Sequence, residues 1–153
     1  MRKVKVKICG LKRAQDIECV NKLLPDYIGF VFAKTKREVT EQQAAQLKAM
    51  LNPQIKAVGV FVNAEIDLIV RLAASRTIDI IQLHGDEDAA YCERLRLQTE
   101  LPIIKAVRVK DAGSFENLQA IPAITCSLIP IPRGSTAAPV SVLIYRWWKM
   151  KNQ

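Results

Sequence analysis

The first 116 residues repeat one pattern: short β-rich runs at residues 4–9, 27–32, 55–62, 78–84 and 103–109. Their centres fall roughly 25 residues apart, the length of one strand plus one helix. The segments between them read as amphipathic helices. Ile17, Val20 and Leu24 share a face of the first, and Thr40 with Gln43 offers a capping-box start to the second, which Asn52-Pro53 stops. Ile66, Ile69, Val70 and Ala73 mark the third, and Ala89, Cys92 and Leu95 the fourth. The fourth has acid (Asp86, Glu87, Asp88) at its expected start, where the helix dipole favours it. A weaker fifth helix is expected over residues 114–119. Strands alternating with helices predict an α/β chain with a parallel sheet and right-handed crossovers. Val58-Gly59-Val60-Phe61-Val62 is apolar on both faces, as when helices cover one side and a core fills the other. Periodicity alone leaves an open doubly wound sheet and a closed (β/α)8 barrel both standing.

Composition narrows the function classes. Half of the 153 residues are hydrophobic, enough for one globular core. No run of about 20 apolar residues exists, so a membrane-spanning helix is not expected. The basic start (Arg2, Lys3, Lys5, Lys7) alternates charge with apolar residues instead of leading a secretory apolar run, which points to the cytoplasm. Cys9, Cys19, Cys92 and Cys126 make no C-x-x-C pair and no ligand cluster with the single His84, so free thiols are expected, without zinc or disulfides. The net charge of +8 is spread thinly. Arg133, Arg146, Lys149 and Lys151, beyond the last acid at Glu116, account for half of it. They lack the clustering of a phosphate-tracking patch, so no nucleic-acid partner is expected.

After Pro122 the pattern breaks. Four of the seven prolines (Pro122, Pro130, Pro132, Pro139) lie from there on, no acid appears, and Trp147 adjoins Trp148.

Five motifs carry a resemblance: Lys7-Ile8-Cys9-Gly10-Leu11; Gly29-Phe30-Val31-Phe32 followed by Lys34-Thr35-Lys36-Arg37; Val58-Gly59-Val60-Phe61-Val62-Asn63; Gln82-Leu83-His84-Gly85-Asp86-Glu87; and Ile104-Lys105-Ala106-Val107. In this order, each at the C-terminal end of a predicted strand, they resemble the phosphoribosylanthranilate isomerases over roughly the first 120 residues. The resemblance implies a (β/α)8 TIM barrel, here truncated to about five or six βα units, with its active site at that end of the strands.

It also makes the tail legible. The family's sixth strand carries Leu-Asp-Thr, then Pro-Gly, a Gly-Gly-Thr-Gly run and Phe-Asp, where this chain has Ser127-Leu128-Ile129-Pro130-Ile131-Pro132-Arg133-Gly134. If the codons for Leu128 through Gly134 are read one base earlier, Leu-Asp-Thr-Tyr-Thr-Pro-Gly is an allowed translation. The same shift lets Thr136-Ala137-Ala138-Pro139-Val140 derive from Gly-Gly-Thr-Gly coding and Val142-Leu143-Ile144 from Phe-Asp coding. The expected organisation is a partial barrel over residues 1–123 and an aberrant, out-of-frame tail over 124–153, following a one-base loss near residues 122–124.

The resemblance implies an Amadori rearrangement of a phosphorylated sugar, N-(5-phosphoribosyl)anthranilate, in tryptophan biosynthesis, with no metal or organic cofactor. An acid protonates the ring oxygen, and a base then removes the C2′ proton of the ring-opened Schiff base. Cys9 matches the base. Lys7, two residues earlier on the same strand face, is a cation that can favour its thiolate, whereas the bland alternative for Cys9 is a packed core thiol. Arg37 matches the residue meeting the anthranilate carboxylate, for which a guanidinium supplies two parallel hydrogen bonds; otherwise it is a solvated loop charge. Gln82 and His84, two apart on one strand face, are expected to line the barrel mouth and bind substrate there. Asp86 and Glu87 read as helix-start residues, and Asp111 as part of a turn. The family's acid falls at Ile129, which has no proton to give, and the phosphate loops after strands seven and eight are not expected here. Such a chain is expected to be severely impaired, and to associate through an open barrel edge.

Overall fold

A computed structural model describes residues 5–109, 125–130 and 142–145. The elements run β1 (Lys5–Cys9), α1 (Ala14–Leu23), β2 (Tyr27–Val31), α2 (Glu41–Met50), β3 (Lys56–Phe61), α3 (Ile66–Ala74), β4 (Ile80–Leu83), α4 (Ala89–Arg96), β5 (Ile103–Val109), β6 (Thr125–Pro130) and β7 (Val142–Tyr145). All five expected strands are present, trimmed by up to two residues at an end. The expected fifth helix, Asp111 and the tail tryptophans lie outside the described residues.

The sheet order is β6-β5-β4-β3-β2-β1-β7, and every pair from β1 to β6 is parallel. Each of those strands lies beside its neighbour in sequence. A doubly wound sheet reverses its order at a switch point, so this progression is that of a barrel wall.

The two faces confirm it. On one side Ile28, Phe30 and Ala57 pack with Ile17 and Val20 of α1 and Ala44 and Leu47 of α2. Farther along, Phe61, Ile81, Leu83 and Ile103 meet Ile69 and Leu72 of α3 and Cys92 and Leu95 of α4. The opposite face gathers Val58, Val60, Ile80 and Ile104, with Cys9, Tyr27 and Val31 beside them and no helix residue. Period-two alternation thus sends one set of side chains under the helices and the other into the barrel interior.

Several local expectations need correction. Leu24 leaves the α1 face: it is the C-cap, with φ of 50°, and half exposed. Leu72, rather than Ala73, completes the buried stripe of α3. Thr40 does cap α2, accepting from the Gln43 backbone N–H at 3.1 Å, but the Gln43 side chain donates instead to the Lys12 carbonyl at 2.8 Å. The box is half used, and its free half ties α2 to the loop after β1. At α4 only Asp88 is the cap, accepting from Tyr91 N–H at 2.7 Å, and the helix begins at Ala89 with no acid in its first turn. Asp86 and Glu87 precede the helix and are engaged elsewhere.

The tail adds two strands. β6 continues the parallel series, placing Ile129 opposite Arg108. β7 runs antiparallel along β1 with Lys5 opposite Tyr145 and Ile8 opposite Val142. In a (β/α)8 barrel all strands are parallel, so β7 covers the β1 edge without being a barrel strand.

Candidate active site

Cys9 ends β1, and the chain turns sharply there because Gly10 adopts φ of 89°, a region costly for residues with a Cβ. The Gly29 carbonyl holds the turn, accepting from Gly10 N–H at 2.9 Å and Leu11 N–H at 3.3 Å. Gly29 is the register partner of Cys9 on β2. A methyl built on Gly29 would lie 2.6 Å from Cys9 Sγ and 3.1 Å from Lys7 Cε, so the missing side chain makes room for both.

Lys7 is buried, with 1% exposure, and its Nζ donates to Oε1 of Gln82, which is equally buried. β1 and β4 are separated by β2 and β3. In a flat sheet their backbones would lie about 14 Å apart with side chains parallel. Direct contact requires the sheet to curl and bring its inner face round on itself. Burial pushes the Lys7 pKa below the ordinary lysine value, while the charge of Cys9 and a hydrogen bond to it pull the other way.

Arg37 arrives from the loop after β2. Thr35 shapes that loop, its Oγ1 accepting from Arg37 N–H at 3.1 Å and its carbonyl from Glu38 N–H at 3.1 Å. The Lys12 ammonium donates to the Lys36 carbonyl at 2.8 Å, tying the loop to the one after β1. The Arg37 side chain then lies over Gly10, where an added methyl would come within 2.5 Å of Cδ. His84 follows β4, half-buried, its backbone N–H donating to the Phe61 carbonyl at 2.8 Å. Contacts thus join Lys7 to Gln82 and place Arg37 beside the turn that carries Cys9; His84 stands two residues past Gln82.

Sequence reasoning missed a buried ion pair beneath this mouth. Lys105, on the helix-facing side of β5, donates to Glu87 Oε2 at 2.9 Å and to the Gly85 carbonyl at 2.6 Å. The Glu87 carboxylate also accepts from the backbone N–H of Asn63 at 2.8 Å and of Gly85 at 3.0 Å. Asn63 Oδ1 accepts in turn from Asp86 N–H at 2.8 Å. The loops after β3 and β4 and the strand β5 are pinned together. The signal was a lysine inside the apolar run Ile103-Ile104-Lys105-Ala106-Val107, since a buried charge needs a partner.

A cleft of about 580 Å³ opens beside these loops, lined by Asn63, Glu65, Asp67, Asp86, Asp88 and Arg94 among others. It excludes Cys9, Arg37, Gln82 and His84, and its carboxylates would repel a phosphate. Among the described residues, no group of three or more His, Cys, Asp or Glu side chains could hold a metal ion. No described helix is long and apolar enough to cross a membrane.

Comparison with known proteins agrees with this geometry. Residues 6–136 match the family described as N-(5'-phosphoribosyl)anthranilate (PRA) isomerase. The N-(5'-phosphoribosyl)anthranilate isomerase of Endomicrobium trichonymphae is 51% identical over 107 residues, 70% of this chain and 54% of that protein. That of Lachnoclostridium phytofermentans is 46% identical over 119 residues, 78% and 55% of the two chains. This chain therefore spans about half the length of the curated relatives it matches. The crystal structure of phosphoribosyl anthranilate isomerase from Thermotoga maritima superposes with a TM-score of 0.76 at 28% identity, covering 92% of this chain and 68% of that one. A phosphoribosyl anthranilate isomerase solved with reduced 1-(o-carboxyphenylamino)-1-deoxyribulose 5-phosphate gives 0.74 at 30% identity, covering 84% and 66%. A parallel wall of sequential strands, a thiol and a guanidinium at its C-terminal rim, and a family match over most of its length place this chain in the N-(5'-phosphoribosyl)anthranilate isomerase family.

Proposed function

We propose that this chain carries the base and anthranilate-binding half of a phosphoribosylanthranilate isomerase site and, lacking the acid, turns over substrate poorly if at all. The observation behind it is the convergence of Lys7, Cys9 and Arg37 at the rim. In the reaction, the Cys9 thiolate takes the C2′ proton of the ring-opened Schiff base. The C–H electron pair becomes the C1′–C2′ double bond as the imine electrons settle on nitrogen, and the resulting enolamine tautomerises to the ketone. Lys7 is the cation neighbouring Cys9, the two side chains sharing the space that Gly29 leaves open. Arg37, held over Gly10, is suited to a bidentate grip on the anthranilate carboxylate. That group is present in the reduced product analogue bound by the solved relative. His84 lines the mouth.

Opening the ribose ring needs a proton on its oxygen. The family's carboxylic acid position corresponds to Ile129 of β6, and a general acid is typically worth about 10²–10⁴-fold in rate. We attribute residues 124–153, Ile129 among them, to a shifted reading frame. Sequencing the DNA around the codon for Ala123 tests this, and one intact frame through Gln153 would refute it. We place the chain in the cytoplasm, acting on a soluble phosphorylated sugar.

The functional test is turnover of freshly prepared N-(5-phosphoribosyl)anthranilate by the purified chain beside Cys9→Ala. A rate near that of an intact barrel, abolished by the substitution, would show that the missing acid has been replaced. The linear strand order favours a second reading, a non-catalytic half-barrel that associates through the outer edge of β6.

A further inference from the structure

The Lys7 ammonium is the cation that serves Cys9 in the reading above, and the inference here rests on that reading. A lysine side chain has four rotatable bonds and, left alone, does not stay beside one thiol. Two features hold it. Gly29 leaves a space that Lys7 Cε and Cys9 Sγ share, with both atoms within 3.1 Å of where a methyl would stand. Across the inner face, Oε1 of Gln82 accepts from Lys7 Nζ. We propose that Gln82 is a positioning residue, whose side-chain carbonyl fixes the Lys7 ammonium beside Cys9, rather than a group that binds substrate.

Burial and chemistry support this reading. Gln82 is 1% exposed, which leaves little of it for a ligand to touch. Its oxygen is already engaged by the lysine. An amide carbonyl suits the task better than a carboxylate would: it accepts from the ammonium and compensates part of its desolvation without cancelling its charge. A glutamate there would form an ion pair and withdraw the positive field from the thiol. Gln82 itself stands on firm ground. β4 is buried along its whole length, and Val60 and Ile104 flank Gln82 in register on the two neighbouring strands.

The test reads Cys9 directly and needs no turnover. The full chain is treated with iodoacetamide at neutral pH, and modification of Cys9 is followed by mass spectrometry of its peptide, with exposed Cys19 as internal reference. Lys7→Met is expected to slow Cys9 modification about tenfold, and Gln82→Leu by several-fold, with Cys19 unchanged in both. The deciding measurement is the double variant. If Gln82 works through the lysine, adding Gln82→Leu to Lys7→Met slows Cys9 no further. Gln82→Met, unbranched and close in volume, replaces the leucine variant if that one fails to fold cooperatively. A wild-type Cys9 rate in a folded Gln82 variant, with Lys7→Met slow, overturns the positioning role alone. So does a Gln82 effect that persists undiminished in the Lys7→Met background. An unaltered rate in Lys7→Met removes the underlying reading of Lys7 and the inference with it.

Discussion

Lys105 and Glu87 place a full charge pair in the layer between sheet and helices, with side-chain exposures of 7% and 1%. Such a pair is costly to break, because removing one partner leaves the other charge buried and uncompensated. Lys105→Met should cost about 3–5 kcal/mol in urea unfolding. Adding Glu87→Gln should recover part of that, since a neutral amide oxygen can still accept from Asn63 and Gly85. A double variant no more stable than the single one would show that the charge itself is not what matters. Tyr91 gives a second test at this scale. Burial, with the charge of Glu87 adding to it, pushes its phenol up to about 12, and its hydroxyl donates to the Ala64 carbonyl at 2.7 Å. A folded pKa above the unfolded value near 10 means that the unfolded chain gives up its proton first. The stability that Tyr91 contributes is therefore complete below about pH 10 and lost as pH climbs toward about 12. Alkaline unfolding compared with Tyr91→Phe should show this difference, and identical pH profiles would count against it.

At the scale of elements, α1, α3 and α4 were legible from their apolar faces, α2 from its Thr40 start and its stop at Asn52-Pro53, and the strands from short β-rich runs. Boundaries near the caps were less so. Three acids in a row before α4 all look like helix-start residues, yet one side chain alone can reach the first free N–H groups, and Asp88 does so. Asp88→Ala should cost about 1 kcal/mol. Asp86→Ala should cost less, because its side chain takes no part in the cap. Equal losses from the two substitutions would contradict this division of roles. The Thr40–Gln43 box shows the same limit. Its backbone half is local and predictable, whereas the Gln43 side chain answers to the Lys12 carbonyl, 31 residues away in sequence.

For the whole molecule the strand order matters most. β1 is covered by β7 and the sheet ends at β6, so one edge of the wall is capped by antiparallel pairing and the other is an outer strand. Exposed strand edges template pairing with other chains. Removing residues 142–153 should uncover β1 and raise the concentration-dependent association seen in sedimentation. A truncated chain no more associated than the full one would mean that β7 protects nothing.

The sequence by itself determined the alternation of strands and helices, the thiol at the end of the first strand, and the family. These rest on residues a few positions apart, where spacing and backbone preference suffice. The tertiary structure decided that Lys7 meets Gln82, 75 residues on, and that Lys105 closes on Glu87. It also decided that the tail strand lies antiparallel along β1. Those contacts depend on how far the sheet curls and which edge it leaves open, and both are properties of all the strands packed together.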